Sequence, residues 1–225
     1  MTKKTYKIKE ISTLIKRGIT PSYTEEFGVK VINQKCIRDF KLKLDLTRYT
    51  NPEKIKNSNE KYLKPFDVLI NSTGVGTLGR VAQISEINNP ITADSHVTIV
   101  RPNVEIMDPI YFGYCLKSKQ KHIELLGEGS TGQTELSRLI LGDMELSVVK
   151  NIIEQKVIGN FFEVIDKKID LIQKMNETLE ETTIMLFKSW FIDFEPVKRK
   201  IKGISTGLSI EINDLFPDIF ETTEF

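Results

Sequence analysis

Two rhythms of apolar and polar residues run along this chain of 225 residues. Over the first 150 positions the apolar residues come in short runs between turn formers. Val29 to Ile32, Asp67 to Asn71, Arg80 to Ile84 and Val97 to Arg101 are rich in Val and Ile and bounded by Gly, Pro, Asn or Ser, which predicts short strands joined by turns. One helix is predicted among them. Asp108 and Pro109 supply an N-cap and a proline at the first helical position, PIYFGYCLKSKQKHIELL follows, and Gly127 and Gly129 stop it.

From about Ile152 the pattern changes. Ile158, Ile165, Ile172, Leu179 and Leu186 recur every seven residues, and Phe162, Ile169, Asn176, Thr183 and Trp190 fill the second core position of the same heptad. No Gly or Pro interrupts the stretch from Asn160 to Glu195. The spacing predicts a helix of roughly 35 to 40 residues, about 55 Å long. A stripe of that length needs a partner helix, because its own small domain cannot cover it. Asn176 and Thr183 in the core frame would weaken packing while disfavouring wrong registers. Phe162, Ile165, Ile169, Ile172, Asn176, Leu179, Leu186 and Trp190 are therefore expected on a dimer or partner-facing surface. Proline is expected to stop the helix near Glu195 and Pro196, followed by the basic cluster VKRKIKG, a Gly and Ser linker and a last short helix, IEINDLF.

The fold class expected is α+β or α/β. Residues 1–150 form a mixed domain of short strands and helices, 151–196 one long coiled-coil-forming helix, and 197–225 a short tail with a brief helix. Apolar residues make up 40% and charged residues 28%, with no apolar run of roughly 18 residues to span a bilayer and no secretory signal at MTKKTYKIKE, so a cytoplasmic protein without a membrane role is expected. Cys36 and Cys115 lack the spacing of a disulfide framework or a zinc site.

The net charge of +1 conceals a division along the chain. Residues 1–150 carry 23 Lys and Arg against 17 Asp and Glu, whereas residues 151–225 carry 9 against 14. The first 64 residues alone hold 16 basic against 7 acidic side chains, interleaved with Tyr, Phe and Asn in KVINQKCIRDFKLKLDLTRY. A basic domain carried by an acidic one suits a module that meets a polyanion at one end and protein at the other, although solvated loop surface would leave the same record.

Gly74, Gly76 and Gly79 spell G-x-G-x-x-G after a strand, with Asp94 twenty residues beyond the first glycine. A dinucleotide site needs the last glycine to open a helix, and RVAQI after Gly79 favours a strand instead. A glycine-rich loop between strands remains, with Ser72, Thr73 and Thr77 supplying hydroxyls and Arg80 a fork of donors suited to phosphate and base edges. Asp108 to Tyr111 approach the D-P-P-Y of amino-group methyltransferases, but the second proline is missing and no cofactor-binding βα unit precedes it. Asp193, Glu195, Asp218 and Glu221 lack the companion lysine and strand context of a nuclease. His96 and His122 each lack a second ligand nearby.

The segments LKPFDVLINSTGVGTLGRVA, SHVTIVRP, GSTGQTELSR, EQKVI, KKIDLIQKMNETLEE and LFKSWFIDFEPVK together resemble the specificity subunit of a type I restriction-modification system. The resemblance spans nearly the whole chain, and LFKSWFIDFEPVK is its most specific part. It implies a target-recognition domain that reads half of a split site in double-stranded DNA. It also implies a conserved spacer helix that docks methyltransferase subunits and, through them, the restriction subunit. The chain itself would be non-catalytic and need no cofactor, S-adenosylmethionine belonging to the methyltransferase partner. On this reading Ser72, Thr73, Gly74, Thr77, Arg80 and His96 face DNA, Lys35, Arg38, Lys41 and Lys43 meet phosphates, and Ser130, Thr131 and Gln133 form a second polar loop.

Members of that family usually carry two recognition domains and two spacer helices, whereas this sequence holds one of each. Lys150 and Asn151 also stand where many members place proline. The expectation is a homodimer with antiparallel helices reading a split palindrome, or a half that pairs with a different one. Two rivals are weighed: an inhibitor that occupies the methyltransferase in place of a full-length subunit, and a small amino-group DNA methyltransferase, which would bind S-adenosylmethionine by itself.

Overall fold

The computed structural model describes residues 2–55, 59–129 and 134–220. The chain divides into two compact units, Met1–Val164 and Ile165–Phe225.

The first unit is layered around a four-stranded antiparallel sheet in the order β2-β11-β8-β9: β2 (Ser12–Arg17), β11 (Val97–Pro102), β8 (Val68–Asn71) and β9 (Val81–Gln83). β8 is buried at every position, which a strand tolerates only when both faces of its sheet are covered. Alternation sends Val68 and Ile70 one way, into a cluster with Val100, Phe112, Leu116 and Ile123. Leu69 points the other way, into a cluster with Ile32, Ile37, Ile91 and Ile99. Helices supply the first cover. The second comes from a sheet in the order β10-β4-β7-β3, formed by β3 (Tyr23–Thr24), β4 (Val29–Ile32), β7 (Arg48–Thr50) and β10 (Ile91–Ala93), in which β10 runs parallel to β4. Two small pairings complete the set: β5 (Ile37–Arg38) with β6 (Lys41–Leu42), and β1 (Lys3–Lys7) with β12 (Glu145–Val149). One ion pair sits at the edge of the interior, where Arg101 grips the fully buried Asp67 through two hydrogen bonds of 2.8 and 2.7 Å.

The four predicted strands form as β4, β8, β9 and β11. The helix begins where the cap predicts, with the Asp108 carboxylate accepting from Tyr111 N at 2.8 Å and Pro109 in the first turn. It does not run unbroken to the glycines. α1 (Pro109–Ser118) ends at Lys119, whose N–H turns back to the Leu116 carbonyl, and α2 (Gln120–Leu125) follows. α2 is tied to the sheet by Gln120 Oε1, which accepts from Val81 N at 3.1 Å. A third short helix, α3 (Arg138–Asp143), is capped by Ser137.

α4 (Ile152–Phe187) starts at Asn151, whose side-chain oxygen accepts from Ile153 N at 2.8 Å and Glu154 N at 3.4 Å. Asparagine therefore fixes the start that a proline would otherwise mark. The first turns of α4 are part of the first unit. The buried Gln155 accepts from Asp108 N at 2.8 Å and donates to the Val149 carbonyl at 2.7 Å. Gly159 lies so close to α1 that a Cβ there would stand 2.8 Å from Tyr111 N.

The second unit holds the rest of α4, which passes into a π-helical turn, Lys188–Ile192. The sequence places the helix stop at Glu195–Pro196. The break instead falls at Phe194, which adopts the left-handed conformation (φ 54°), and Pro196 opens a new helix. VKRKIKG is thus helical: α5 (Glu195–Ile201) contains all but its last two residues, because proline without an N–H is tolerated in a first turn. α6 (Ile210–Asn213) is the short helix expected near the end. The segment after it folds back, with Lys200 Nζ donating to the Phe216 carbonyl at 2.6 Å and Phe216 meeting the Trp190 ring edge-on at 5.7 Å. Trp190 is therefore half-buried within its own chain. The π turn and the aromatic return segment account for this placement.

Candidate nucleic-acid interface

The glycine loop joins β8 to β9. Gly74, Gly76 and Gly79 all have positive φ (100°, 71° and 82°), which explains why the loop needs glycines without any nucleotide. Gly79 has a second reason: a Cβ there would lie 2.8 Å from the backbone of Glu124, so the third glycine lets α2 pack on the loop. Thr77 N and Leu78 N both donate to the Gly74 carbonyl, closing a tight turn whose tip, Val75, is 81% exposed.

Ser72 does not belong to the exposed set. It is fully buried, its hydroxyl lies 2.5 Å from Thr98 Oγ1, its N–H donates to the His96 carbonyl, and its carbonyl accepts from Leu136 N. Ser72 shares the parity of Val68 and Ile70, so alternation carried two residues past Ile70 points it inward. It is a strut that fixes three segments behind the loop.

Thr73, next in line, is where the predicted residues converge. Its hydroxyl is 2.8 Å from His96 Nδ1, and Gln34 Nε2 reaches both the Thr73 carbonyl (2.6 Å) and hydroxyl (2.5 Å). Gln34 also takes Asn71 Nδ2 on its carbonyl at 3.1 Å. This one side chain binds the glycine loop to the turn that carries Lys35 and leads into the β5–β6 hairpin. Arg80 adds a second tie, donating to the Gly76 carbonyl at 2.9 Å and, at a long 3.5 Å, to that of Ile37. Arg80 thus braces two loops through part of its donor fork.

His96 is exposed, and its backbone N–H donates to Asp94 Oδ1 at 2.8 Å. Burial pushes the Asp94 carboxyl above the usual carboxylate range, with that same N–H opposing the shift. Lys35, Arg38 and Lys43 are exposed, while Lys41 is half-buried. Ser130, Thr131 and Gln133 lie outside the described residues. The residues on either side of them are paired, Glu128 and Glu135 exchanging backbone hydrogen bonds of 3.0 and 2.8 Å, and Glu135 bridges to Thr73.

Sequence reading missed Gln34 and Arg17. Arg17 bonds the Glu135 carboxylate (2.6 Å) and the Leu136 carbonyl (2.9 Å), and it lines a cleft of about 550 Å³ together with Lys16, Lys61, Arg138, Glu128, Glu135 and Ser137. Arg17 lies more than a hundred residues from Glu135 and Leu136, and Gln34 lies 39 from Thr73, so no local pattern records them. Arg48, stacked 3.6 Å over the Tyr23 ring, was missed too, because its partner lies on another strand.

The convergence offers hydroxyls, an imidazole and amides, with cations on the same unit, a donor set suited to phosphates and base edges. Among the described residues no group of three His, Cys, Asp or Glu side chains could hold a metal ion, and no helix is long and apolar enough to cross a membrane. Cys36 and Cys115 are free thiols, and burial pushes the Cys115 thiol up to about 11.

Comparison with known proteins bears on this arrangement directly. The chain is 25% identical over 169 residues to the type I restriction enzyme HindI specificity subunit of Haemophilus influenzae, covering 74% of this chain and 36% of that one. It is 29% identical over 149 residues to the MjaIX specificity subunit of Methanocaldococcus jannaschii, covering 64% and 34%. The chain thus spans about a third of the length of the curated relatives it matches. The crystal structure of a type I restriction-modification system S subunit from M. genitalium shares the fold with a TM-score of 0.60 at 16% identity, over 90% of this chain and 46% of that one. A mixed strand-and-helix domain feeding one long helix is what these neighbours share. Since the family model for the type I restriction modification DNA specificity domain matches residues 2–181, taking in the glycine loop, His96, the basic hairpin and most of α4, the chain belongs to that family.

Proposed function

We propose that this chain is a non-catalytic, sequence-reading DNA-binding subunit of a cytoplasmic type I restriction-modification complex. It reads half of a split site and docks the methyltransferase, and through it the restriction subunit. The observation that carries the reading is the Gln34–Thr73–His96 junction, which brings the glycine loop and the basic hairpin together. Thr73, Thr77 and His96 are the candidates for base edges. Lys35, Arg38, Lys41 and Lys43 are those for phosphates, where a contact positions the protein without reading sequence. S-adenosylmethionine is assigned to the partner methyltransferase.

The long helix is proposed to pair with a second copy of itself. Support comes from the exposure of its stripe, from Ile165 (39%) to Leu179 (60%), over about 32 Å from Ile165 to Leu186. Thr183 fits such an interface, because its hydroxyl donates to the Leu179 carbonyl at 2.8 Å and so needs no bond across it.

Methylation mapping tests the function. DNA from cells carrying this chain and its methyltransferase should be modified at one defined split sequence. Modification should be lost in a variant that keeps the fold but removes the junction, Gln34→Ala with Thr73→Ala. Methylation that ignores sequence, or that survives without this chain, would overturn the reading.

A further inference from the structure

Among the described residues four other than glycine have left-handed backbone conformations, and three of them are phenylalanines: Phe40, Phe66 and Phe194. A bulky side chain is rare there and calls for a reason. Phe66 has one, since its N–H donates to the Ile84 carbonyl and its carbonyl accepts from Gln83. Phe194 has another, its ring packing edge-on against Phe220 at 5.7 Å. Phe40 has neither: its ring meets no other aromatic ring among the described residues, and it is 44% exposed.

Phe40 and Asp39 form the two-residue connection between β5 and β6, with φ of 60° and 52°. Two positive φ values mark a primed hairpin turn, whose second position ordinarily goes to glycine. Here a large apolar ring occupies that place at the outermost point of a ribbon that carries Arg38 and Lys41 on its strands. Lys35 and Lys43, both exposed, lie on either side of it in the chain. Strain kept at an exposed turn, with no ring contact of the kind that holds Phe194, points to a contact outside the molecule. The surrounding cations make that partner anionic. A two-stranded ribbon fits the major groove of duplex DNA, and the apolar feature displayed on its floor is the thymine methyl group.

We propose that Phe40 is a specificity-determining contact, entering the major groove at the hairpin tip and packing against a thymine 5-methyl group while Lys35, Arg38 and Lys43 hold the flanking phosphates. This rests on the DNA-reading function proposed above and names one of its base contacts.

The test uses the full chain with its methyltransferase and a short labelled duplex selected by that complex from a randomised pool. Failure to select any duplex would sink the DNA reading itself and is seen before Phe40 is touched. On the selected duplex, Phe40→Gly should weaken binding by about 3- to 10-fold, the scale of one buried apolar contact. Its melting midpoint should be unchanged or raised, since glycine suits the left-handed position. Replacing thymine by deoxyuridine, one position at a time, should weaken wild-type binding at one position and leave the Phe40→Gly complex indifferent there. The dependence of affinity on salt should stay as in the wild type, whereas Lys43→Ala should flatten it by about one counterion. The proposal is overturned if Phe40→Gly binds as tightly as wild type or lowers the melting midpoint. It is equally overturned if the loss of affinity is not coupled to any thymine methyl, or if the variant keeps its DNA affinity and instead loses the methyltransferase.

Discussion

At the scale of single residues the interface is built from side chains that hold one another in place. Asp94 illustrates the cost. Its carboxylate anchors the His96 backbone, and that bond requires burial, which raises the carboxyl above its ordinary value of 3.8. A carboxyl raised in the folded state binds its proton more readily there than in the unfolded chain, so this contribution makes stability fall as pH rises through the window above 3.8. Asp94→Asn keeps the accepting oxygen and removes the charge. Urea midpoints should show the variant more stable than wild type at neutral pH, with the difference shrinking as pH falls through that window. A constant or inverted difference would show that burial of the charge is not what His96 is held against. This residue-level design was only partly legible. Thr73, Thr77 and His96 stand out by type and setting. Ser72 reads in sequence like its neighbour Thr73, yet the parity of β8 turns it inward, and Gln34 carries no local mark because its value lies in a contact 39 residues away.

Elements with a strong period were legible and short ones were not. β4, β8, β9 and β11 announce themselves by Val and Ile between turn formers. β3, β5 and β6 have two residues each, too few to show alternation, and β1 is a lysine-rich strand held by pairing with β12. For α4 the heptad gave the helix but concealed how it begins, because the residues that dock it are not apolar. Gln155 and Gly159, spaced one turn apart, fasten its first turns to the start of α1, the first by hydrogen bonds and the second by allowing close approach. Gly159→Ala tests this element. In an exposed helix the change to alanine would stabilise by up to about 1 kcal/mol. Here the new methyl meets the backbone at Tyr111 N, which cannot swing aside like a side chain, so we expect destabilisation of about 1–3 kcal/mol in chemical denaturation. A gain in stability would mean that α4 does not bear on α1 there.

For the whole molecule, the division of charge and the exposed stripe on α4 support the same proposal: that a basic DNA reader is joined to a second copy through an acidic helix. Ile165, Ile169, Ile172, Leu179 and Leu186 are all exposed in the single chain, and among the described residues no second helix approaches the length of α4, since the next longest, α1, has ten residues. An apolar stripe of that extent does not stay in water when a matching one is available at the same concentration. Placing aspartate at Ile172 and Leu179 together buries two charges in any paired state and costs the free monomer almost nothing, because both positions are solvent-facing there. Sedimentation equilibrium at micromolar concentration should therefore find a dimer for the wild-type chain and a monomer for Ile172→Asp/Leu179→Asp. The melting transition of the first unit should stay in place, since neither residue belongs to it. Binding to a duplex with two half-sites should fall by about 10²–10⁴-fold, the loss expected when two linked readers become independent, while binding to a single half-site should not change. If wild type is monomeric, or the double variant still dimerises, the stripe serves another partner, and the proposed two-headed reader must be given up even if the single domain still recognises DNA.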